Sequence, residues 1–344
     1  VLCSHLGRPK GEVKPELSLK PVAEHLMNLL EAPAAVQFNS SMDFDDYRDA
    51  VAHLDAGEIL LIENLRFHPE EKKGDEAFAK ELASLADVYV NDAFGTAHRA
   101  HASTAVVARH FDEKYPGLLM QQELDNGQHI LESPGKPFVL ISGGAKVSDK
   151  LAILENLMDK VDTILIGGGM AYTFIHAQGG QIGNSLLEKE HIDTARRLLK
   201  LASEKNTRLV LPEDSVVASE FKETAEHKIT PSDAIPDGWM GLDIGPKARE
   251  QYNVILQEAK TVLWNGPMGV FEWDNFAEGT LGMAKALAET TRTGAYTLIG
   301  GGDSAAAVRK AGVADEVSYV STGGGALLEL LEGKTLPGLA ALQD

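Results

Sequence analysis

The chain has 344 residues, 44% of them hydrophobic and 24% charged, which is an ordinary globular composition and too long a chain for one hydrophobic core, so two domains are expected. A formal charge of −19, from 32 basic against 51 acidic residues, argues against nucleic acid or an anionic membrane as the main partner. One cysteine, Cys3, excludes an intrachain disulfide and a cysteine-rich metal site, and the absence of a long apolar run or signal peptide points to a cytoplasmic enzyme without a membrane partner.

Val1-Leu2-Cys3-Ser4 has no initiator Met and reads as the tail of a strand met midway, so the true N-terminus is expected upstream. A helix is predicted from Ser18 as N-cap, burying Val22, Leu26 and Leu29 on one face; another from Asp75 places Phe78, Leu82 and Leu85 together. Strand-like runs Ala35-Val36-Gln37-Phe38, Ile59-Leu60-Leu61-Ile62 and Val88-Tyr89-Val90 alternate with them, the pattern of a parallel, doubly wound sheet. The strand ends here carry side chains: His5-Leu6-Gly7-Arg8, then Glu63-Asn64-Leu65-Arg66, then Asn91 to His101 with His98 and Arg99. A single Arg reads as a surface charge, but three at equivalent strand ends predict an anion site, because guanidinium forks match carboxylate and phosphate. His98 and His101 have no third ligand nearby, which favours a structural or hydrogen-bonding role over a metal.

Tyr115-Pro116-Gly117 breaks the pattern, and a helix from about Leu118 to Leu131 reads as a linker that ends at Ser133-Pro134-Gly135. Beyond it, four apolar runs stop on glycines: Phe138-Val139-Leu140-Ile141 before Gly143-Gly144, Thr163-Ile164-Leu165-Ile166 before Gly167-Gly168-Gly169, Tyr296-Thr297-Leu298-Ile299 before Gly300-Gly301-Gly302, and Val317-Ser318-Tyr319-Val320 before Gly323-Gly324-Gly325. Each run reads as a buried parallel strand followed by a helix, and four glycine-rich carboxyl ends in one sheet describe a cradle for a polyanion. Lys146 and Lys150, four apart, are expected on one helical face beside the phosphates of a nucleotide. The segment is not a Walker A loop, Gly333-Lys334-Thr335 only imitates one, and Tyr172 stands where a dinucleotide fingerprint needs its last glycine, so a nicotinamide-dependent oxidoreductase is disfavoured. A nucleotide-binding module without turnover is the second alternative. Asp303 reads either as an N-cap or as a Mg²⁺ ligand, and the glycines before it favour the metal. Glu272, after the strand at Thr261-Val262-Leu263, is the candidate for ribose hydroxyls.

His5-Leu6-Gly7-Arg8-Pro9-Lys10-Gly11, Glu63 to Phe67, Asn91 to Ser103, Gly143 to Lys150, Trp264 to Glu272, Gly300 to Ser304 and Ser321 to Gly325 occur in an order and spacing that resembles the phosphoglycerate kinase family, from His5 to Leu339. The resemblance implies an α/β enzyme of two doubly wound parallel-sheet domains joined by a helix and hinge: residues 1–117 with a C-terminal segment 334–344 packed on them, a linker helix 118–133, and a nucleotide domain 134–333. It begins about fifty residues into the family pattern, so an Asp-x-Asn substrate contact and an Arg of that pattern lie outside the chain. It implies transfer of a phosphoryl group between 1,3-bisphosphoglycerate and ADP, giving 3-phosphoglycerate and ATP, with Mg²⁺, in a monomer. His5, Gly7, Arg8, Arg66, His98 and Arg99 would line the phosphoglycerate site. Lys146, with Gly301, Gly302 and Gly324, would meet the moving phosphoryl group. Lys150, Ser304 and the amides of Gly301, Gly302 and Gly323 to Gly325 would hold phosphates, Asp303 the Mg²⁺, and Gly168, Gly241, Asn265 and Glu272 the nucleoside. The acceptor is a carboxylate, ionised at neutral pH, so no general base is required.

Overall fold

A computed structural model describes residues 1–30 and 35–343. The chain divides into two compact units, Val1–Gln121 with Thr335–Asp344, and Gln122–Lys334; the helix Leu118–Glu132 begins in the first and runs on in the second. Asp344 lies outside the described residues. No helix among the described residues is long and apolar enough to cross a membrane.

The first unit is α/β, with its strands in two parallel pairs. Val36–Asn39 pairs with Ile59–Ile62, to which Leu2 adds a parallel bridge at Leu61; Tyr89–Asn91 pairs with Lys114–Pro116. The last strand falls where the sequence reads as a break, because Pro116 at its end leaves the ladder little to lose. The helix Glu76–Ala83 starts where expected: Asp75 accepts the Phe78 N–H as N-cap, and Phe78, Leu82 and Leu85 are buried in one core with Tyr47, Leu60 and Ile62. The helix Lys20–Leu29 also forms, but the expected face is wrong. Val22 and Leu29 are exposed and Leu26 is half-buried, whereas Leu19, Ala23 and Met27 face Leu61 and Phe38. Ser18 is not the N-cap; its hydroxyl donates to Glu63 (2.7 Å), which also accepts the Leu19 N–H (2.8 Å). That long-range anchor turns the helix so that the row Leu19, Ala23, Met27, spaced four apart, points inward.

The second unit holds a six-stranded parallel sheet. From edge to edge it runs Arg208–Val210, Thr163–Ile166, Phe138–Ser142, Thr261–Asn265, Tyr296–Gly300, Tyr319–Val320, the order 3-2-1-4-5-6 in chain sequence. Its central strands are nearly continuous runs of buried residues, mostly apolar, as a sheet covered on both faces requires. Order reverses between Phe138–Ser142 and Thr261–Asn265, and in open α/β sheets ligands bind outside the carboxyl ends of the strands at that point. A three-stranded antiparallel sheet (His227–Pro231, Asp214–Ala218, Met240–Ile244), which the sequence does not announce, is appended to it. The buried carboxylate of Glu123, on the helix Leu118–Glu132, accepts the Ser321 hydroxyl (2.7 Å) and the N–H and hydroxyl of Thr322 (2.7 and 2.8 Å).

Candidate active site

In the first unit the structure gathers the predicted basic residues. Arg66 sits in a buried one-turn 3₁₀ helix, Leu65–Phe67, fixed because Asn64 accepts the Arg66 N–H (3.0 Å) and donates to the Leu6 and Leu17 carbonyls. Arg66 Nη1 donates to the Gly7 carbonyl (2.9 Å), which ties the His5–Arg8 turn to it. Arg99 Nε meets His98 Nε2 at 3.1 Å. The Arg66 guanidinium is disfavoured by burial, then by the positive fields of Arg99 and Arg8, with Glu71 the compensating charge. Burial, then Arg66 and Arg99, pushes both His5 and His101 down to about 4, so both rings are neutral at pH 7. A buried guanidinium in the field of two others, beside neutral imidazoles, makes a site that gains most by receiving an anion. Glu71, buried, accepts the N–H (3.0 Å) and hydroxyl (2.7 Å) of Ser103, so it braces the segment behind His98 and Arg99.

In the second unit the glycine turns interlock at the switch point. Gly144 N–H donates to the Pro267 carbonyl and Gly168 N–H to the Met268 carbonyl, both at 2.9 Å, while Gly144 accepts from Met170. Gly168 must be glycine, since a Cβ there would stand 2.5 Å from the Gly144 oxygen. Asn265, closing its strand, bridges two neighbours: Oδ1 accepts from Lys150 Nζ and Nδ2 donates to the Gly300 carbonyl (2.9 Å). Gly301 has φ +89° and forms the N-cap of the helix Gly302–Lys310, with no side-chain cap. Asp303 is therefore not the cap; its exposed carboxylate stands in the first turn, and its field helps hold the charge on Lys150, whose pKa burial lowers. The Ser304 side chain is buried and accepts the Gly266 N–H (2.7 Å), so it braces the turn. Gly241 lies in the strand Met240–Ile244, its N–H donating to Ser185 Oγ (2.9 Å), and Glu272 is exposed beyond the Gly266 turn. Gly323 to Gly325 open the helix Gly325–Leu331, with Gly323 N–H on Ser321 Oγ (3.0 Å).

One expectation fails here. Lys146 and Lys150 do not share a helical face, because residues 145–150 form an irregular loop and the helix starts only at Leu151. The Glu188 carboxylate accepts the Val147 and Ser148 N–H groups and the Ser148 hydroxyl, drawing the backbone away from helical bonding. Lys146 is exposed and Lys150 half-buried. Sequence reasoning missed Glu188, 40 positions from Ser148, and also Asp243, a buried carboxyl pushed up to about 8 by burial that accepts the Gly279 N–H (2.6 Å). Neither carries a local signal. No group of three or more His, Cys, Asp or Glu able to hold a metal occurs among the described residues. A single carboxylate at the head of an amide cradle instead fits Mg²⁺ carried on phosphates, which takes one or two protein carboxylates.

Comparison with known proteins agrees with this architecture. The family profile described as "Phosphoglycerate kinase" matches residues 1–334. A phosphoglycerate kinase of Prosthecochloris aestuarii is 54% identical over all of this chain and 86% of its own length. The protein named phosphoglycerate kinase 3, cytosolic, of Arabidopsis thaliana is 54% identical over all of this chain and 85% of its own. The solved phosphoglycerate kinase of Coxiella burnetii superimposes with a TM-score of 0.89 at 42% identity, covering 99% of this chain and 85% of that one. That of Pyrococcus horikoshii gives 0.79 at 31%, covering 96% and 84%.

Proposed function

The chain belongs to the phosphoglycerate kinase family, and from that premise we propose that its two units hold the two substrates of glycolytic phosphoryl transfer, 3-phosphoglycerate or 1,3-bisphosphoglycerate on the first and ADP or ATP on the second. The observation that carries this reading is the switch point of the six-stranded sheet, where Lys150, held by Asn265, stands among interlocked glycine turns in the field of the Asp303 carboxylate. In the first unit, His5, Gly7, Arg8, Arg66, His98 and Arg99 bind the acid. Arg66 is held rigid by Gly7 and supplies fixed positive charge; the neutral ring of His5 and the ring of His98, which meets Arg99, serve as hydrogen-bonding walls. In the second, Ser304 and the amides of Gly301, Gly302, Gly324 and Gly325 take the phosphates, the Gly323 N–H being engaged by Ser321 Oγ, with Gly168, Gly241, Asn265 and Glu272 at the nucleoside end.

Asp303 would hold a phosphate-borne Mg²⁺, which would supply charge neutralisation. No residue has to remove a proton, because the attacking oxygen belongs to an ionised carboxylate. The work left to the chain is to orient two anions in line and stabilise moving charge, for which Lys146 and the amides of Gly301, Gly302 and Gly324 are the candidates. In-line transfer brings the two ligands together on closure of the domains, which excludes competing water. The enzyme is read as a cytoplasmic monomer, the former in keeping with the name of its Arabidopsis relative.

Steady-state kinetics with 3-phosphoglycerate and MgATP test this reading. Lys146→Ala is expected to lower kcat by on the order of 10²–10³ with little change in either KM, as for a donor that meets charge only in the transition state. Near-normal kcat with a raised nucleotide KM would make Lys146 a ground-state binder, and absence of turnover by the unsubstituted chain would leave only the binding-module alternative.

A further inference from the structure

Residues 145–150 are neither helix nor strand, yet their course is closely determined. The loop is tied at its start by Gly144, bonded to Pro267 and Met170, and at its end by Lys150, bonded to Asn265. Its middle is held from outside by Glu188. Oε2 of Glu188 accepts the Val147 and Ser148 N–H groups, and Oε1 accepts the Ser148 hydroxyl at 2.6 Å. Successive amides converging on one anion form a nest of the kind that elsewhere binds phosphate, and here a side chain of the protein fills it. Glu188 is anchored in turn, its own N–H donating to the hydroxyl of buried Thr173 (3.2 Å) on the helix Met170–Ala177. Val147 is fully buried while its neighbour Lys146 is exposed, so the backbone is pinned one residue from the free lysine. A bare carboxylate beside a polyanion's cradle would repel the ligand; three donors on Glu188 draw that charge inward.

We propose that Glu188 is a positioning residue for phosphoryl transfer: by occupying the nest of Val147 and Ser148 it fixes the backbone from which Lys146 projects. The proposal rests on the role of Lys146 given above. A lysine on a mobile loop reaches a moving charge only part of the time, and a misplacement of about 1 Å can cost about 10² in rate.

The experiment measures Glu188→Ala and Glu188→Gln, each alone and combined with Lys146→Ala, in the whole chain. Expected for the single variants are a kcat lower by about ten- to a hundredfold, a calorimetric Kd for MgADP within about twofold of the parent, and exchange of the Val147 and Ser148 amide hydrogens faster by at least about tenfold. Removing Glu188 from Lys146→Ala is expected to change kcat by less than about twofold, since the two act through one group. An unchanged kcat in both Glu188 variants overturns the proposal. So does a loss that multiplies undiminished on Lys146→Ala, because Glu188 would then act apart from the lysine. If Lys146→Ala alone keeps normal kcat, the underlying reading of Lys146 fails and this one with it. Glu188→Gln keeps the size and one acceptor, and its Kd for MgADP separates lost positioning from lost folding.

Discussion

The two units gather binding groups by opposite means. The first collects charge: burial and the fields of Arg99 and Arg8 disfavour the Arg66 cation before any ligand arrives, and His5 and His101 are driven neutral beside it. The second collects geometry: glycine turns at the end of a parallel sheet lock onto one another through backbone bonds, with Lys150 restrained by Asn265. A site made of charge should be sensitive to the loss of a single cation and to pH, and a site made of shape to the addition of a single methyl group.

The largest expected effect breaks the first half of that comparison. Arg66→Met should weaken 3-phosphoglycerate by roughly a hundredfold, or about 3 kcal/mol, the scale of charge-assisted bonds lost together, while leaving the MgADP affinity unchanged in the same titration. Equal weakening of both ligands would show that the sites are not separable.

Next is a paired test of shape. Gly301→Ala should lower the stability of the second unit by about 1–3 kcal/mol, because its φ of +89° is left-handed and a Cβ would stand 2.7 Å from Asn265 Nδ2. A Cβ on adjacent Gly302 meets nothing within 4 Å, so Gly302→Ala should stay within about 0.5 kcal/mol in urea unfolding. Similar losses at both positions would contradict a cradle determined by one turn.

The smallest effect sharpens the comparison through pH. His5 and His101 titrate near 4 in the fold against 6.5 in the free side chain, so the unfolded chain binds more protons between those values and the first unit loses stability as pH falls through that window. Asp243 behaves oppositely. Its carboxyl titrates near 8 in the fold against 3.8 when free, so it removes stability from the second unit as pH rises between them, by at most about 1.4 kcal/mol per pH unit. Around Asp243, Arg249 opposes the shift and Glu278 adds to it. Hydrogen exchange followed separately in each unit should show slopes of opposite sign, and Asp243→Asn should flatten only the second.

What could be read in the sequence was what local chemistry decides. Asp75 three residues before Phe78 announces a capped helix, and a four-residue apolar run before glycines announces a buried strand end. What could not be read was decided at a distance. Glu63 turns the first helix by one residue, exposing Val22, and Glu188 takes the Val147 and Ser148 amides where the spacing of two lysines promised a helix. The antiparallel sheet was hidden for another reason: Asp214–Ala218 and Met240–Ile244 are buried almost throughout, so neither displays the alternation of a half-exposed strand.

The bond between Glu123 and the Ser321–Thr322 turn also bears on how the chain assembles itself. Within the second unit, Glu123 grips that turn and Gly127 lies against Leu330, so the residues that lead into the unit and those that lead out of it come together as it folds. The chain's last segment packs on the first unit: Gly338 bonds to Ala97, and Ala341 packs on Ala105 and Ala108. In an unfolded chain those partners are separated by the whole second unit, and closing so long a loop is entropically unfavourable and slow. Once the second unit has formed, its two ends act as a clasp that makes the separation short. The topology thus favours an order of folding in which the contiguous unit forms before the interrupted one closes.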